Sequence, residues 1–268
     1  MKNFFKNKIF IIIGICIVVV ITIAATLKIF SKKESKLDLT KKAIENVFFY
    51  LPEDKYDDVT GIPDYCKVSL VYGTKFVDNY KIVNKEDTSE EQKKENNKTT
   101  RAYSTEDIEN GVKKILGDST SINYNVDSEG DYIFITENGC GYNNKNINVL
   151  SYDEESKYIT SLDVKNDKVS KVYTKWIEKE NKNNTIVYDV YALEANENSD
   201  GSYDIYADKD HENLVTTIEK GKKLTKEVNK LFEEKSNVFV ITIEKNNGNY
   251  IWKSIEVKKI YENDIIVD

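Results

Sequence analysis

The side chains best suited to chemistry in this chain are its single histidine, His211, and Cys140, which lies between two glycines. A thiol within hydrogen-bond reach of an imidazole forms the nucleophile and base of exported cysteine peptidases. A reactive thiolate, however, needs a helix N-terminus or a neighbouring cation, and no helix signal follows Cys140. His211 falls in the polar stretch ADKDHEN, which is typical of a solvated loop. The sequence therefore favours a solvated loop histidine and a structural cysteine over a catalytic dyad.

A disulfide is the simpler prediction for the cysteines. Cys66 and Cys140 are the two cysteines outside the apolar N-terminal stretch, which itself contains Cys16. In an oxidising compartment these two would pair with each other. Two unpaired, buried cysteines are the alternative.

Acidic side chains are plentiful, but the sequence does not organise them into a site. Glycoside hydrolysis needs two carboxylates roughly 5–10 Å apart in a cleft. Two acidic clusters could supply such pairs: Asp153, Glu154 and Glu155, and Asp200, Asp204, Asp208 and Asp210. Neither cluster has EF-hand spacing, and HExxH, CxxC and P-loop patterns do not occur. With 46 acidic residues in the chain such clusters arise by chance, so we predict no metal and no cofactor.

Aromatic residues are the one unusual surplus, with 18 tyrosines. Some of them could form a platform for glycans or peptides, because rings with a polar tip suit wet interfaces. The candidates are Tyr188, Tyr191, Tyr203 and Tyr206 on two predicted strands, joined by Trp176 or Trp252. Strand alternation places each tyrosine pair on opposite faces of its strand, so at most one of each pair can serve one platform. Packing within the sheet is the favoured alternative.

Residues 9–27 form the one stretch able to cross a membrane. They are nineteen residues without a charge, preceded by Lys2, Lys6 and Lys8 and followed by Lys28. About 20 apolar residues match the ~30 Å hydrocarbon core of a bilayer as a helix. The stretch is longer than the apolar region of a typical signal peptide, so a retained signal anchor is favoured over cleavage or over lipidation at Cys16.

The predicted layout follows from this anchor. Residues 1–8 form a short cytoplasmic tail, 28–36 a polar tether and 37–268 an extracytoplasmic domain. Lysines flank both sides of the span, so the positive-inside rule is nearly balanced, and the short N-terminal tail before one large domain decides the orientation. Cell-membrane localisation with a single pass is the resulting expectation.

Charge narrows the possible partners of the exported part. The chain has 39 Lys and Arg and 46 Asp and Glu, and four of the lysines but no acid lie in 1–28. The remainder has 35 basic and 46 acidic side chains, a net charge of about −11. Nucleic acid and anionic lipid surfaces need a concentrated basic face, so we exclude nucleic acid as a partner.

Hydrophobic periodicity predicts an α+β fold. Apolar stripes at helical spacing indicate three helices, in 41–51, 104–117 and 221–235. The second is the best defined, because Ser104 can cap it and Gly117 can end it. Alternation indicates strands in 66–73, 121–127, 131–136, 147–153, 158–164, 168–179, 185–195, 202–208, 238–245 and 250–260.

These elements favour a single curved antiparallel sheet with the helices packed on one face. The outline is similar to that of cystatin-like and nuclear-transport-factor-like folds, by analogy of shape alone. Residues 84–100 are rich in charged and amide side chains, which predicts a solvated insertion. Two subdomains divided near Asn166 are the alternative.

The expected function is that of a non-enzymatic binding or accessory module for a protein or a cell-envelope component. The alternative is an exported hydrolase that uses paired carboxylates or the Cys140 and His211 dyad. A deep pocket that joins Cys140 to His211, or two acids to an aromatic wall, would favour the hydrolase. A flat or edge-strand aromatic face would favour the binding module.

Overall fold

A computed structural model describes residues 34–84, 99–124, 131–134, 146–153, 155–165 and 170–261. The predicted membrane span, residues 9–27, lies outside these ranges, as does Cys140. Among the helices that are described, none is long and apolar enough to cross a bilayer.

The fold is α+β, with five short α-helices and twelve strands in the described ranges. The helices are α1 (Lys36–Glu45), α2 (Asp64–Val71), α3 (Thr105–Leu116), α4 (Leu224–Asn229) and α5 (Phe232–Lys235). The strands are β1 (Lys55–Tyr56), β2 (Lys81–Asn84), β3 (Thr99–Ser104), β4 (Asp131–Phe134), β5 (Asn146–Asp153), β6 (Tyr158–Lys165), β7 (Ser170–Lys182), β8 (Thr185–Glu197), β9 (Tyr203–Tyr206), β10 (Leu214–Ile218), β11 (Asn237–Asn246) and β12 (Asn249–Lys259). Two 3-10 turns, Phe48–Tyr50 and Val59–Gly61, link the first elements.

The strands form two antiparallel sheets, which corrects the prediction of a single curved sheet. The larger sheet has the order β1-β12-β11-β8-β9-β10, with β7 paired to the other edge of β8. The smaller sheet has the order β2-β3-β6-β5-β4. Apart from β1, which pairs with β12, the strands up to Lys165 form the smaller sheet and those from Ser170 onward form the larger one. This change lies close to the alternative domain division near Asn166. The described residues from Lys36 onward belong to one compact unit.

Strand β8 carries two buried clusters on its opposite faces. Ile186, Tyr188 and Val190 join the main core, which also contains α1, α2, α3 and residues of both sheets. Leu193 and Ala195 join a second core with α4 and α5. Because successive side chains of a strand point to opposite faces, one thirteen-residue strand can serve both cores.

Helix α3 confirms the best-defined local prediction. The Ser104 hydroxyl accepts a hydrogen bond from the Asp107 backbone N–H at 3.1 Å, which is N-cap geometry. Gly117 follows the helix with a φ of 98°, a conformation that favours glycine. Ile108, Val112, Ile115 and Leu116 form the buried stripe.

Residues 66–73 were predicted as a strand, and this prediction is wrong, because Asp64–Val71 forms helix α2. Pro63 precedes its first turn, and six consecutive residues from Cys66 to Val71 are buried. A segment buried on all sides has no apolar period, so sequence cannot tell a short helix from a strand there.

Three further predictions need correction. The single helix expected in 221–235 is divided into α4 and α5 by a turn, in which the Leu231 N–H bonds the Val228 carbonyl at 2.9 Å. Ile122 to Tyr124 are not in a strand, and the rest of the predicted 121–127 strand lies outside the described residues. Strands β1, β2, β3 and β10 were not predicted; β2 and β3 pair with each other from the two ends of the charged insertion.

Candidate functional site

An open groove of about 630 Å³ lies among the described residues. Four segments distant in sequence form its walls: the turn at 58–60, the loop at 76–79, residues 107–119 of helix α3 and beyond, and residues 244–253 of the β11–β12 hairpin. This volume falls within the range of pockets that bind small-molecule ligands.

The loop at 76–79 lies against helix α3 because residue 111 is glycine. A Cβ atom at Gly111 would lie 2.7 Å from Val77 Cγ2 and 3.3 Å from the Phe76 carbonyl oxygen. Real Cβ atoms essentially never show a contact as short as 2.7 Å, so any side chain at residue 111 would force Val77 and the loop to shift. The Lys114 ammonium also donates to the Phe76 carbonyl at 3.1 Å. Together these contacts fix one wall of the groove.

The opposite wall is the turn between β11 and β12. Asn247 and Gly248 both have positive φ, at 48° and 78°, as a two-residue hairpin turn requires. A few residues from this turn, Lys253 Nζ and Glu244 Oε2 lie 3.8 Å apart. The register of this paired hairpin therefore determines which side chains face the groove.

Amide and carboxylate groups dominate the groove lining. The asparagines are Asn79, Asn110, Asn246, Asn247 and Asn249. The acids are Asp58, Asp78, Asp107, Asp118 and Glu244, against the lysines Lys113, Lys114 and Lys253. The lining is therefore net acidic, and it contains both hydrogen-bond donors and acceptors.

Some of these groups are already committed to the fold. Asp107 accepts from the Ser104 hydroxyl and from the Asn79 amide, at 2.5 and 3.3 Å. The Thr60 backbone N–H bonds the Asp58 carboxylate and lowers the pKa of Asp58. Within the described part of the chain, Asn110 and Asn247 make no side-chain hydrogen bond, so their amides are available to a ligand.

Two of the predicted aromatic residues come together, but their faces are occupied. The Trp176 and Tyr188 rings lie 5.4 Å apart at 79°. Lys41 Nζ lies 3.9 Å from the centre of the Tyr188 ring and 5.1 Å from that of Trp176. Glu45 accepts a hydrogen bond from Trp176 Nε1 at 2.7 Å. Burial lowers the pKa of Lys41. This cation–π cluster is thus internal to the protein.

The other four aromatic candidates are dispersed. Trp252 is completely buried in the main core, and its Nε1 donates to the Ser254 carbonyl at 3.0 Å. Tyr191 and Tyr203 pack against the second core. Tyr206 lies with its ring 4.6 Å from the His211 ring. The structure therefore does not join the six residues into one platform.

His211 is paired with a buried carboxylate, Glu194, which sequence reasoning did not single out. Its Nε2 donates to Glu194 Oε2 at 3.0 Å. Glu194 is 2% exposed and also accepts from the hydroxyls of Tyr50, at 3.0 Å, and Ser170. Burial and this carboxylate together raise the pKa of Tyr50.

This cluster does not have the order of a nucleophile and base. In a serine nucleophile site the hydroxyl bonds the imidazole, and the carboxylate bonds the other ring nitrogen. Here the Ser170 hydroxyl and the His211 imidazole both bond the Glu194 carboxylate. The cluster ties the loop that carries His211 to strand β8.

The predicted acidic clusters have local structural contacts. Asp200 accepts from the Ser202 N–H at 2.8 Å, and Asp204 accepts from the Thr217 hydroxyl at 2.7 Å. Asp208 accepts backbone N–H bonds from Asp210, Glu212 and Asn213. Among the described residues, no group of three His, Cys, Asp or Glu side chains could hold a metal ion. The side chains of Asp153 and Glu154 lie outside the described part of the structure.

Cys66 is completely buried in helix α2 and is disulfide-bonded. Since Cys140 lies outside the described residues, its pairing with Cys66 stays a prediction.

No protein-family model, no curated protein and no solved structure matches this chain.

Proposed function

We propose that the protein is a non-enzymatic binding module and that its ligand, a component of the cell envelope, occupies the groove between helix α3 and the β11–β12 hairpin. The observation that carries this proposal is the groove itself, about 630 Å³ in volume and lined by amides and carboxylates. A rigid wall of paired strands and a capped helix hold these side chains in place, as a preorganised site requires.

The proposal includes attachment to the membrane. The uncharged stretch at residues 9–27 supports a single-pass signal anchor, and the short N-terminal tail before one large domain supports an extracytoplasmic location for that domain. In this arrangement the anchor confines the domain to the membrane, where envelope components and the subunits of membrane assemblies are concentrated. No cofactor is required.

Co-purification from membranes tests this function. The full chain, extracted from its own membranes, should retain an envelope component, and the double variant Asn110→Ala, Asn246→Ala should lose most of it. The matched control is Asn229→Ala, because Asn229 is also exposed and ends a helix away from the groove. Equal retention by the groove variant would contradict the proposal.

The alternative is an exported hydrolase, and the observation in its favour is the contact between His211 and Glu194. Two variants separate the two functions. If Cys140→Ala and Glu194→Gln both leave ligand retention and phenotype unchanged, mechanisms that use Cys140 or Glu194 are excluded. Turnover of the retained component that stops in either variant, while that variant keeps the far-UV circular dichroism of the folded protein, would establish the hydrolase.

A further inference from the structure

We infer that the groove ligand is a chain of neutral sugars. This inference rests on the proposed function, since it names the chemical class of the component that the groove holds. Three features of the lining support a saccharide ligand: its hydrogen-bonding groups, its small apolar surface and its charge.

The hydrogen-bonding groups match hydroxyls. A sugar hydroxyl both donates and accepts, and an amide side chain offers two donor hydrogens and an acceptor oxygen. Asn110, Asn246 and Asn247 are exposed in the groove and, within the described residues, form no side-chain hydrogen bond. They approach from both walls, so they can bond hydroxyls along both edges of a saccharide chain.

The apolar surface is too small for a typical peptide ligand. Val77, Leu116 and Ile251 contribute to the lining but are 4%, 3% and 9% exposed. Peptide recognition commonly uses apolar pockets or grooves for side chains. Phe76 is the only aromatic residue of the described lining and is half-buried, so it can present part of its ring to the C–H face of a sugar.

The charge of the groove selects against anionic polymers. Five carboxylates line it against three lysines. Lys114 donates to a backbone carbonyl, and Lys253 lies near Glu244. An anionic ligand such as a phosphate-rich polymer would meet a net negative potential, which weakens its binding.

The experiment is equilibrium binding by titration calorimetry to the full chain in detergent. The probes are neutral hexasaccharides of glucose, N-acetylglucosamine, galactose and mannose, an anionic hexagalacturonate, and a neutral peptide of six alternating glycines and serines. At least one neutral hexasaccharide should bind, and hexagalacturonate and the peptide should bind at least tenfold more weakly.

Variants place the binding in the groove. Asn110→Ala should lower the affinity for the hexasaccharide by about two- to tenfold, which is the effect of losing a neutral hydrogen bond. Asn229→Ala should leave the affinity within twofold.

Each other outcome has a definite meaning. If none of the neutral hexasaccharides binds, or if Asn229→Ala weakens binding as much as Asn110→Ala, the inference is wrong. If the peptide or hexagalacturonate binds best and Asn110→Ala weakens that binding, the inference of neutral sugars is wrong but the proposed binding function stands. If no probe binds and membrane co-purification is also insensitive to the groove variant, both are wrong.

Discussion

Replacing Gly111 by alanine should damage the groove even though alanine is the better helix former. In an exposed helix interior this change stabilises by up to about 1 kcal/mol. At Gly111 the added Cβ would lie 2.7 Å from Val77 Cγ2 and 3.3 Å from the Phe76 carbonyl. Overpacking of this kind typically costs about 1–3 kcal/mol. We therefore expect a net loss of about 1 kcal/mol in the free energy of unfolding and a displaced groove wall.

Urea unfolding of the full chain in detergent, followed by tryptophan fluorescence, measures this effect, because Trp252 is completely buried. Val77→Ala removes the methyl group that the new Cβ meets. In the double variant the two changes should therefore be less destabilising than their sum, by about 1–3 kcal/mol. Gly61→Ala is the control, since a Cβ at Gly61 has no atom within 4 Å. A stabilised Gly111→Ala variant, or strict additivity with Val77→Ala, would refute the reasoning.

Three further predictions concern the rest of the molecule. Glu194→Ala leaves three donors without their carboxylate and should lower the free energy of unfolding by about 3 kcal/mol or more in urea titration; a loss under 1 kcal/mol would show that the cluster is not structural. Burial and the nearby Glu178 carboxylate raise the pKa of Tyr188 to about 12. The protonated phenol therefore stabilises the fold fully below pH ~10. This stabilisation is lost as the pH rises towards 12, at about 1.4 kcal/mol per pH unit. Tyr188→Phe should flatten that alkaline dependence in unfolding experiments, and an unchanged slope would contradict the assignment. Non-reducing peptide mapping should recover Cys66 linked to Cys140; a peptide with free Cys140 would refute the pairing.

Local signals explain what the sequence could predict. Helix α3 was predictable because Ser104 and Gly117 mark its ends and its apolar stripe is strong. The β11–β12 hairpin was predictable from its alternation and from the NNGN turn. Its two strands pair from Val238 with Lys259 to Asn246 with Asn249. Helix α2 was not predictable, since its burial on all sides removes the period that distinguishes a helix from a strand.

The candidate site could not be predicted because it depends on contacts between distant segments. Gly111 lay within a clear helical pattern, which flags a packing or functional reason, but the sequence does not show that Val77 is its neighbour. His211 was placed correctly in a polar loop. Its partner Glu194 lies in a strand whose alternation of side chains is ordinary, so nothing in the sequence marked Glu194 as that partner. Composition alone likewise gave no basis for separating groove asparagines from the many others.

Photo-crosslinking from the groove tests the central claim most directly. A photoreactive residue at Asn247, at the tip of the hairpin turn, faces the proposed ligand, and the same residue at Asn229 faces solvent elsewhere. Irradiation of intact membranes that contain the full chain should attach an envelope saccharide at position 247 and none at 229. Equal labelling from both positions, or no saccharide adduct at 247, would contradict the account.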